Sequence, residues 1–418
     1  MLFILLLIAL GLCFASNKDI FSPGKFYHLS LTVYFADIFL SEHSGDVYAI
    51  YLGLILTGMV MSVVEAYSLS GRQASLTRFR STDVCPARFI LILWLLTLIP
   101  VLAQCYMIHL TGGLGSLATA VMRRVADRRG LGWLGILVKL IEPINLLYFG
   151  FGLAYRKRRP VIWWLGYGVH LLVFAAVALP KGSRGFVLGQ VVLMMVIYNY
   201  LRRPVKLRYA VVGGAALLIT AAFLGAVREN LGRIKNLDDL GHMRSGTLQW
   251  SLLSYGLMQL DVVFERDFTD YQYGKTFLTA ATNFVPRAIW PEKFESGGVV
   301  LTKFAHGRYY TGKTNMTPGI VTESILNFGY PLGILWAFAF LSLVILLMVR
   351  FYTCLLNRIS QRGGVGRVYV VALYGGLASV AGRLLVGEFA DIFIGLVPKV
   401  AFLSIVVLLL RLRLCRTG

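Results

Sequence analysis

Long apolar runs, following one another from the first residues to near the last, constrain this chain more than any other feature. They fall at about 2–16, 26–41, 47–69, 88–110, 134–155, 161–179, 185–201, 208–226, 330–349, 367–386 and 389–410. A helix of about 20 apolar residues spans the hydrocarbon of a bilayer and satisfies its backbone polar groups within itself. The runs therefore predict an all-α, polytopic transmembrane protein of about eleven spans, the first two short, forming a single integral membrane domain over residues 1–418. Composition agrees: 57% of the residues are hydrophobic and 15% charged, where a soluble domain carries about a quarter charged. Ordinary soluble enzymes and disordered chains are excluded. The opening MLFILLLIALGLCFAS lacks the basic stretch of a signal peptide and reads as a retained first span.

The chain carries 41 basic and 20 acidic residues, a formal net charge of +21. In a soluble protein that excess would point to nucleic acid. Here it follows the accumulation of Lys and Arg in cytoplasmic loops, so no nucleic-acid partner is expected. Five clusters carry it: Arg72, Arg78 and Arg80; Arg156 to Arg159; Arg202, Arg203, Lys206 and Arg208; Arg350, Arg358, Arg362 and Arg367; and Arg411, Arg413 and Arg416. All fall on one side of the span pattern, which places that side and the C-terminus in the cytoplasm. Two segments then face outward. Residues 111–133 include the basic MRRVADRRG, which reads as a short interfacial helix. The stretch 228–329 is the only loop large enough to build a site, and its aromatic content predicts a folded cap with short helices. The five cysteines (Cys13, Cys85, Cys105, Cys354, Cys415) form no metal or disulfide pattern.

Four outward stretches could carry chemistry. Lys181-Gly182-Ser183-Arg184-Gly185 is a tight hairpin whose glycines let backbone approach an anion while Ser183, Lys181 and Arg184 supply donors; alternatively it is a turn snorkelling at the headgroups. Arg228, at the outer end of its span, is either an interfacial anchor or a second guanidinium for a diphosphate. In Asn283–Lys293, Pro286 and Pro291 forbid one continuous helix and hold Arg287, Trp290 and Lys293 in a stiff frame, against the plainer reading of an interfacial Trp belt. In Thr317–Pro331, Thr317 and Pro318 suit a helix start and Gly329 its end. Glu323 and Asn327 share one face of that helix, and a carboxylate there is either used or paired with a nearby Arg. His306 is the only histidine in the second half of the loop. A lone loop histidine usually carries no chemistry, but it is retained as a base candidate. Arg383, Glu388 and Asp391 read as an ion-paired group at the outer ends of the last two spans. Nucleotide-binding, Ser-His-Asp and metal-binding patterns are not recognisable. The polar residues gather at the outer surface, without the broken helices or mid-membrane charges of a transporter.

The order of these segments resembles the bacterial O-antigen and oligosaccharide repeat-unit polymerases of the Wzy type. The matching residues are Gly182 to Arg184, the Pro-Arg-x-x-Trp-Pro-x-Lys of Pro286 to Lys293, the Pro-Gly-x-x-x-Glu and Asn-Phe-Gly between Pro318 and Gly329, and the early Asp19 to Pro23 and Gly112 to Leu114. The resemblance implies a fold similar to polytopic GT-C-type glycosyltransferases in the bacterial inner membrane, with a periplasmic site over residues 228–329 and neither metal nor cofactor. It implies transfer of a growing glycan from undecaprenyl diphosphate to a lipid-linked repeat unit, amid membrane lipids and with a chain-length regulator as a further partner. On that reading Arg184, Arg228, Arg287 and Lys293 hold the diphosphate. Ser183, Lys181, Asn327 and Trp290 make other substrate contacts, and Glu323 or His306 supplies the base. O-antigen ligases share much of this design, and His306 keeps that alternative open; a lipid-linked oligosaccharide flippase is the alternative from another class.

Overall fold

Helix is the only regular structure among the described residues of the computed structural model, which are 1–69, 86–116, 130–154, 161–181, 184–230, 255–287, 289–311, 315–361 and 365–414. In chain order the α-helices are α1 Leu2–Ser16, α2 Pro23–Tyr34, α3 Gly45–Leu69, α4 Pro86–Leu110, α5 Gly132–Lys139, α6 Ile141–Ala154, α7 Val161–Ala178, α8 Arg184–Leu201, α9 Leu207–Asn230, α10 Met258–Glu265, α11 Lys275–Thr282, α12 Gly297–His306, α13 Ile320–Phe328, α14 Leu332–Gln361, α15 Val365–Val386 and α16 Phe389–Leu414. Seven stretches among the described residues are long and apolar enough to cross a membrane: Gly45–Leu69, Ile90–Leu110, Gly132–Ala154, Val161–Ala178, Leu332–Asn357, Gly366–Val386 and Phe389–Val406. The chain is thus a multi-pass helical membrane protein. Three further apolar helices, Leu2–Ser16, Gly185–Leu201 and Leu207–Ala221, are shorter.

The run expected as a span at 26–41 is not one helix. It divides into α2 and a 3-10 turn at Ala36–Phe39, and α2 buries Lys25 and His28. The basic segment at 121–129 lies outside the described residues.

The contacts resolve the chain into two compact units. The first takes Met1–Gln73, Met243–Thr353 and Leu377–Ile394. Its α1 and α2 form a hairpin lying along α3. At one end Phe3 meets Phe39 edge-on, with ring centroids 5.5 Å apart, and Phe39 meets Tyr51 at 5.9 Å. At the other end the turn between α1 and α2 is tied into a polar knot. Asn17 Nδ2 donates to Glu65 Oε1 (2.7 Å) and to the Tyr352 hydroxyl (3.0 Å), which itself donates to Asp19 Oδ2 (2.7 Å). The Gly24 N–H reaches Glu65 Oε2 at 3.1 Å, and Lys25 Nζ donates to the Asn17 carbonyl at 2.5 Å. An ionisable group inside apolar surroundings stays only when it is paired in this way.

The second unit takes Ala74–His242, Cys354–Gly376 and Gly395–Gly418. Its centre is a fully buried imidazole. His170 Nε2 donates to the Thr97 hydroxyl oxygen (2.9 Å), whose own hydrogen goes to the Leu93 carbonyl (2.7 Å). Asn145 Nδ2 donates to His170 Nδ1 (3.1 Å), and Gln190 Nε2 donates to Asn145 Oδ1 (2.7 Å). One histidine therefore joins α4, α6, α7 and α8. Such interhelical hydrogen bonds are worth about 0.6 kcal/mol each, so the network fixes register more than it adds stability.

The same unit holds a charge pair that the sequence pattern gives no reason to expect. Glu142 accepts from Lys399 Nζ, and the two side chains are 8% and 15% exposed. Both lie near the middle of their stretches, Gly132–Ala154 and Phe389–Val406. The first of these is broken between α5 and α6, because Pro143 has no N–H for the Lys139 carbonyl and its ring crowds that carbonyl. Pro398 stands inside α16 beside Lys399. Polar residues therefore do not gather only at the outer surface, and a broken helix is present at mid-depth.

Removing one member of a buried pair strands the other, at about 3–5 kcal/mol, whereas replacing both is often neutral. Glu142→Gln and Lys399→Met alone should each lower the unfolding temperature in detergent sharply. The double variant should recover most of the loss, and a double variant as unstable as the singles would show that the pair does not stabilise through charge compensation.

Candidate functional site

The cap segment is organised around one short helix. Residues 320–327 of α13 are all buried, and α10, α11 and α12 each pack against it. Its sequence, Ile-Val-Thr-Glu-Ser-Ile-Leu-Asn-Phe, is too polar for a span and too apolar for an exposed helix. Most of its polar groups are accordingly satisfied internally. The Ser324 hydroxyl returns to the Ile320 carbonyl at 2.6 Å. The last carbonyls of α13 accept from an adjacent loop: Gln272 N–H meets Leu326 O and Tyr273 N–H meets Asn327 O, both at 2.9 Å. Gly329 closes the helix at φ +74°, as expected of a terminal glycine.

The start of α13 differs from expectation. Gly319, not Thr317, is the residue before the first turn. A Cβ at Gly319 would stand 1.9 Å from the Leu385 carbonyl oxygen, so only glycine allows the segment to pass the end of α15 this closely. Thr317 instead donates to the Val386 carbonyl (3.2 Å) and meets the Tyr255 hydroxyl.

Glu323 is entirely buried. Its Oε2 accepts the Phe389 N–H at 2.8 Å, so a cap residue satisfies the first backbone donor of α16. Its other oxygen points at the start of α12: a Cβ on Gly297 would lie 2.9 Å from Glu323 Oε1. A Cβ on Gly298 would lie 2.9 Å from Glu388 Oε2. Two carboxyl groups thus converge on the N-terminal turn of one helix, where the backbone dipole favours negative charge. Thr276 bears on the Glu323 carboxyl, but no described donor reaches Oε1 in hydrogen-bond geometry. Burial first, and the neighbouring Glu388 second, raise the Glu323 pKa well above the ordinary carboxylate range. The ion pair considered for Glu323 is absent: Arg287 donates to the Pro291 carbonyl (2.7 Å) and Arg383 pairs with Asp391 (3.0 Å).

Two other expected substrate contacts have structural duties. The Asn327 amide is buried, donating to Thr276 Oγ1 (2.6 Å) and the Glu323 carbonyl (2.7 Å) and accepting from the Gly274 N–H (2.8 Å). Both amide hydrogens and one lone pair of the oxygen are thus occupied within the protein. Lys293 is 8% exposed and donates to the carbonyls of Val285 (2.9 Å) and Thr282 (3.4 Å), bracing the turn after α11. Burial and then the Arg287 charge lower its pKa. Two of its three ammonium donors are thus taken up by backbone carbonyls. Trp290 remains accessible at 39% exposure, edge-on to Phe294. His306 ends α12 on the surface, with Nδ1 on the Thr302 carbonyl at 3.1 Å. Ser183 lies outside the described residues, as do the side chains of Lys181, Arg184 and Arg228. Arg184 and Arg228 belong to the second unit, Arg287 to the first. Thr276, the hydroxyl between Asn327 and Glu323, carried no sequence signal beyond a small polar residue in a helix.

No protein-family model, curated protein or solved structure matches the chain. No group of three or more metal-ligating side chains occurs among the described residues.

Two stability measurements check this geometry. Gly319→Ala should be severely destabilising, at or beyond the usual 1–3 kcal/mol of overpacking, because backbone rather than a flexible side chain must give way. Glu323 binds its proton more tightly folded than unfolded, where its pKa is near 4.5. Its contribution to stability is therefore greatest below that pH and is lost as pH rises toward the folded value. Glu323→Gln, a permanent mimic of the protonated acid, should flatten that decline in the unfolding temperature; an unchanged pH profile would mean that the carboxyl is not held neutral.

Proposed function

We propose that this chain is a metal-independent glycosyltransferase that polymerises polysaccharide, moving a growing glycan from undecaprenyl diphosphate to a lipid-linked repeat unit. The observation that carries the reading is the cap: short helices folded around α13, next to apolar spans and exposing cationic and aromatic side chains. Arg287 and Arg308 supply charge for a diphosphate. Trp290 and Tyr309, 39% and 71% exposed, supply flat faces for sugar rings. The leaving diphosphate gains negative charge as the anomeric bond breaks, and preorganised guanidinium groups stabilise it without a metal. Glu323 and Asn327, sealed inside, hold the wall of the site rather than touching substrate. The membrane is the bacterial inner membrane, the cap is periplasmic, and the C-terminus is cytoplasmic.

A second reading, movement of a lipid-linked oligosaccharide, is favoured by Glu142 and Lys399, because mid-span charges mark transport pathways in many membrane proteins. Purified protein with a lipid-linked repeat unit separates the two. A ladder of products is expected for the polymerase, and Arg287→Lys should reduce it at least tenfold, since lysine lacks the bidentate fork. Product only when lipid A core is added would indicate a ligase. No product, with translocation abolished in a folded Glu142→Gln, Lys399→Met double variant, would indicate transport.

A further inference from the structure

Outside the α13 core, one pair of side chains has the geometry of a catalytic dyad. His43 stands just before α3, and its Nδ1 lies 3.0 Å from Asp261 Oδ1 on α10. The two side chains are 5% and 23% exposed. A carboxylate only accepts, so Nδ1 carries the hydrogen and Nε2 is left with its lone pair. That nitrogen is sealed from solvent and has no hydrogen-bond partner among the described residues. Its lone pair can therefore accept a hydrogen from a bound molecule.

The surroundings fit proton uptake from a substrate. The Tyr48 ring closes on His43 edge-on, with centroids 6.2 Å apart. The Tyr330 hydroxyl donates to Asp46 Oδ1 at 2.9 Å, and Phe264 meets Tyr330 edge-on at 5.6 Å. The beginnings of α3 and α14 and the helix bearing Asp261 therefore gather at one level, where spans give way to cap. Burial above all, with Glu265 and Asp37 nearby, raises the Asp261 pKa against the lowering effect of its contact with His43. His306, by contrast, is exposed and holds only a backbone carbonyl.

We propose that His43, oriented by Asp261, is the general base that takes the proton of the acceptor sugar hydroxyl; this rests on the polymerase reading. The acceptor O–H gives its proton to Nε2 as its oxygen bonds to the anomeric carbon. The bond from that carbon to the diphosphate oxygen breaks, the electron pair leaves with the diphosphate, and the imidazolium later returns its proton to water. Asp261 is a positioning residue: it fixes the tautomer and steadies the charged ring.

The test uses the purified full chain with a lipid-linked repeat unit. His43→Gln should slow turnover about 10²–10⁴-fold while the unfolding temperature stays near wild type. Added imidazole should restore part of the activity of His43→Ala. Asp261→Asn should lower kcat more than it raises KM and displace the acidic limb of the pH–rate profile. If His43→Gln turns over like wild type, or if both His43 variants lose stability and activity together without imidazole rescue, the pair is a strut and the proposal fails while the polymerase reading stands. If wild type forms no product, the polymerase reading falls and the base assignment with it.

Discussion

The first backbone N–H groups of a helix have no partner within it, and in apolar surroundings water does not supply one. At α16 the demand is met by the Glu323 carboxyl, on a different helix 66 positions earlier. Much of the cap follows from that contact. To bring Glu323 to Phe389, α13 must pass against the end of α15, which leaves Gly319 no room for a side chain. To bury α13, its terminal carbonyls must be taken by the loop before α11 and its Asn327 spent on that same loop. The glycines opening α12 are then the only residues that tolerate two carboxyl groups at their backs.

Buried polar groups are used differently in the two units. Around His170, neutral donors and acceptors on four helices join in one network. Their tautomers and amide orientations follow from one another, and no net charge is buried. At Asn17 and Glu65, a buried acid is met by a backbone N–H and a side-chain amide within short reach. Glu142 and Lys399 are the expensive case, an acid and a base answering one another halfway along two proline-containing stretches.

Apolar periodicity made the membrane architecture legible, and Pro and Gly placement made the short cap helix and its closing Gly329 legible. What could not be read was direction. Lys293 looks the same in sequence whether its ammonium faces a diphosphate or two carbonyls, and the structure turns it inward. Asn327 was rightly placed on the face of Glu323, yet sharing a face did not reveal that the face was wholly buried. Pairings across long separations were invisible: Glu142 and Lys399 stand 257 positions apart, His43 and Asp261 218. The span expected at 26–41 failed for a local reason, since Lys25 and His28 sit in a helix only 12 residues long.

Both units are discontinuous, and each is completed only by residues beyond position 376. Chains are synthesised from the N-terminus, and membrane helices enter the bilayer as they emerge. The Asn17–Glu65 part of the first knot can close early, since its members emerge together. Glu142 cannot: its carboxyl enters hydrocarbon and must wait there while 257 further residues are made before Lys399 arrives. The nascent protein therefore passes through a prolonged interval with an uncompensated acid at mid-span. The arrival of α16 ends that interval by supplying Lys399 to the second unit, and the same helix brings the Phe389 N–H to the Glu323 carboxyl of the first.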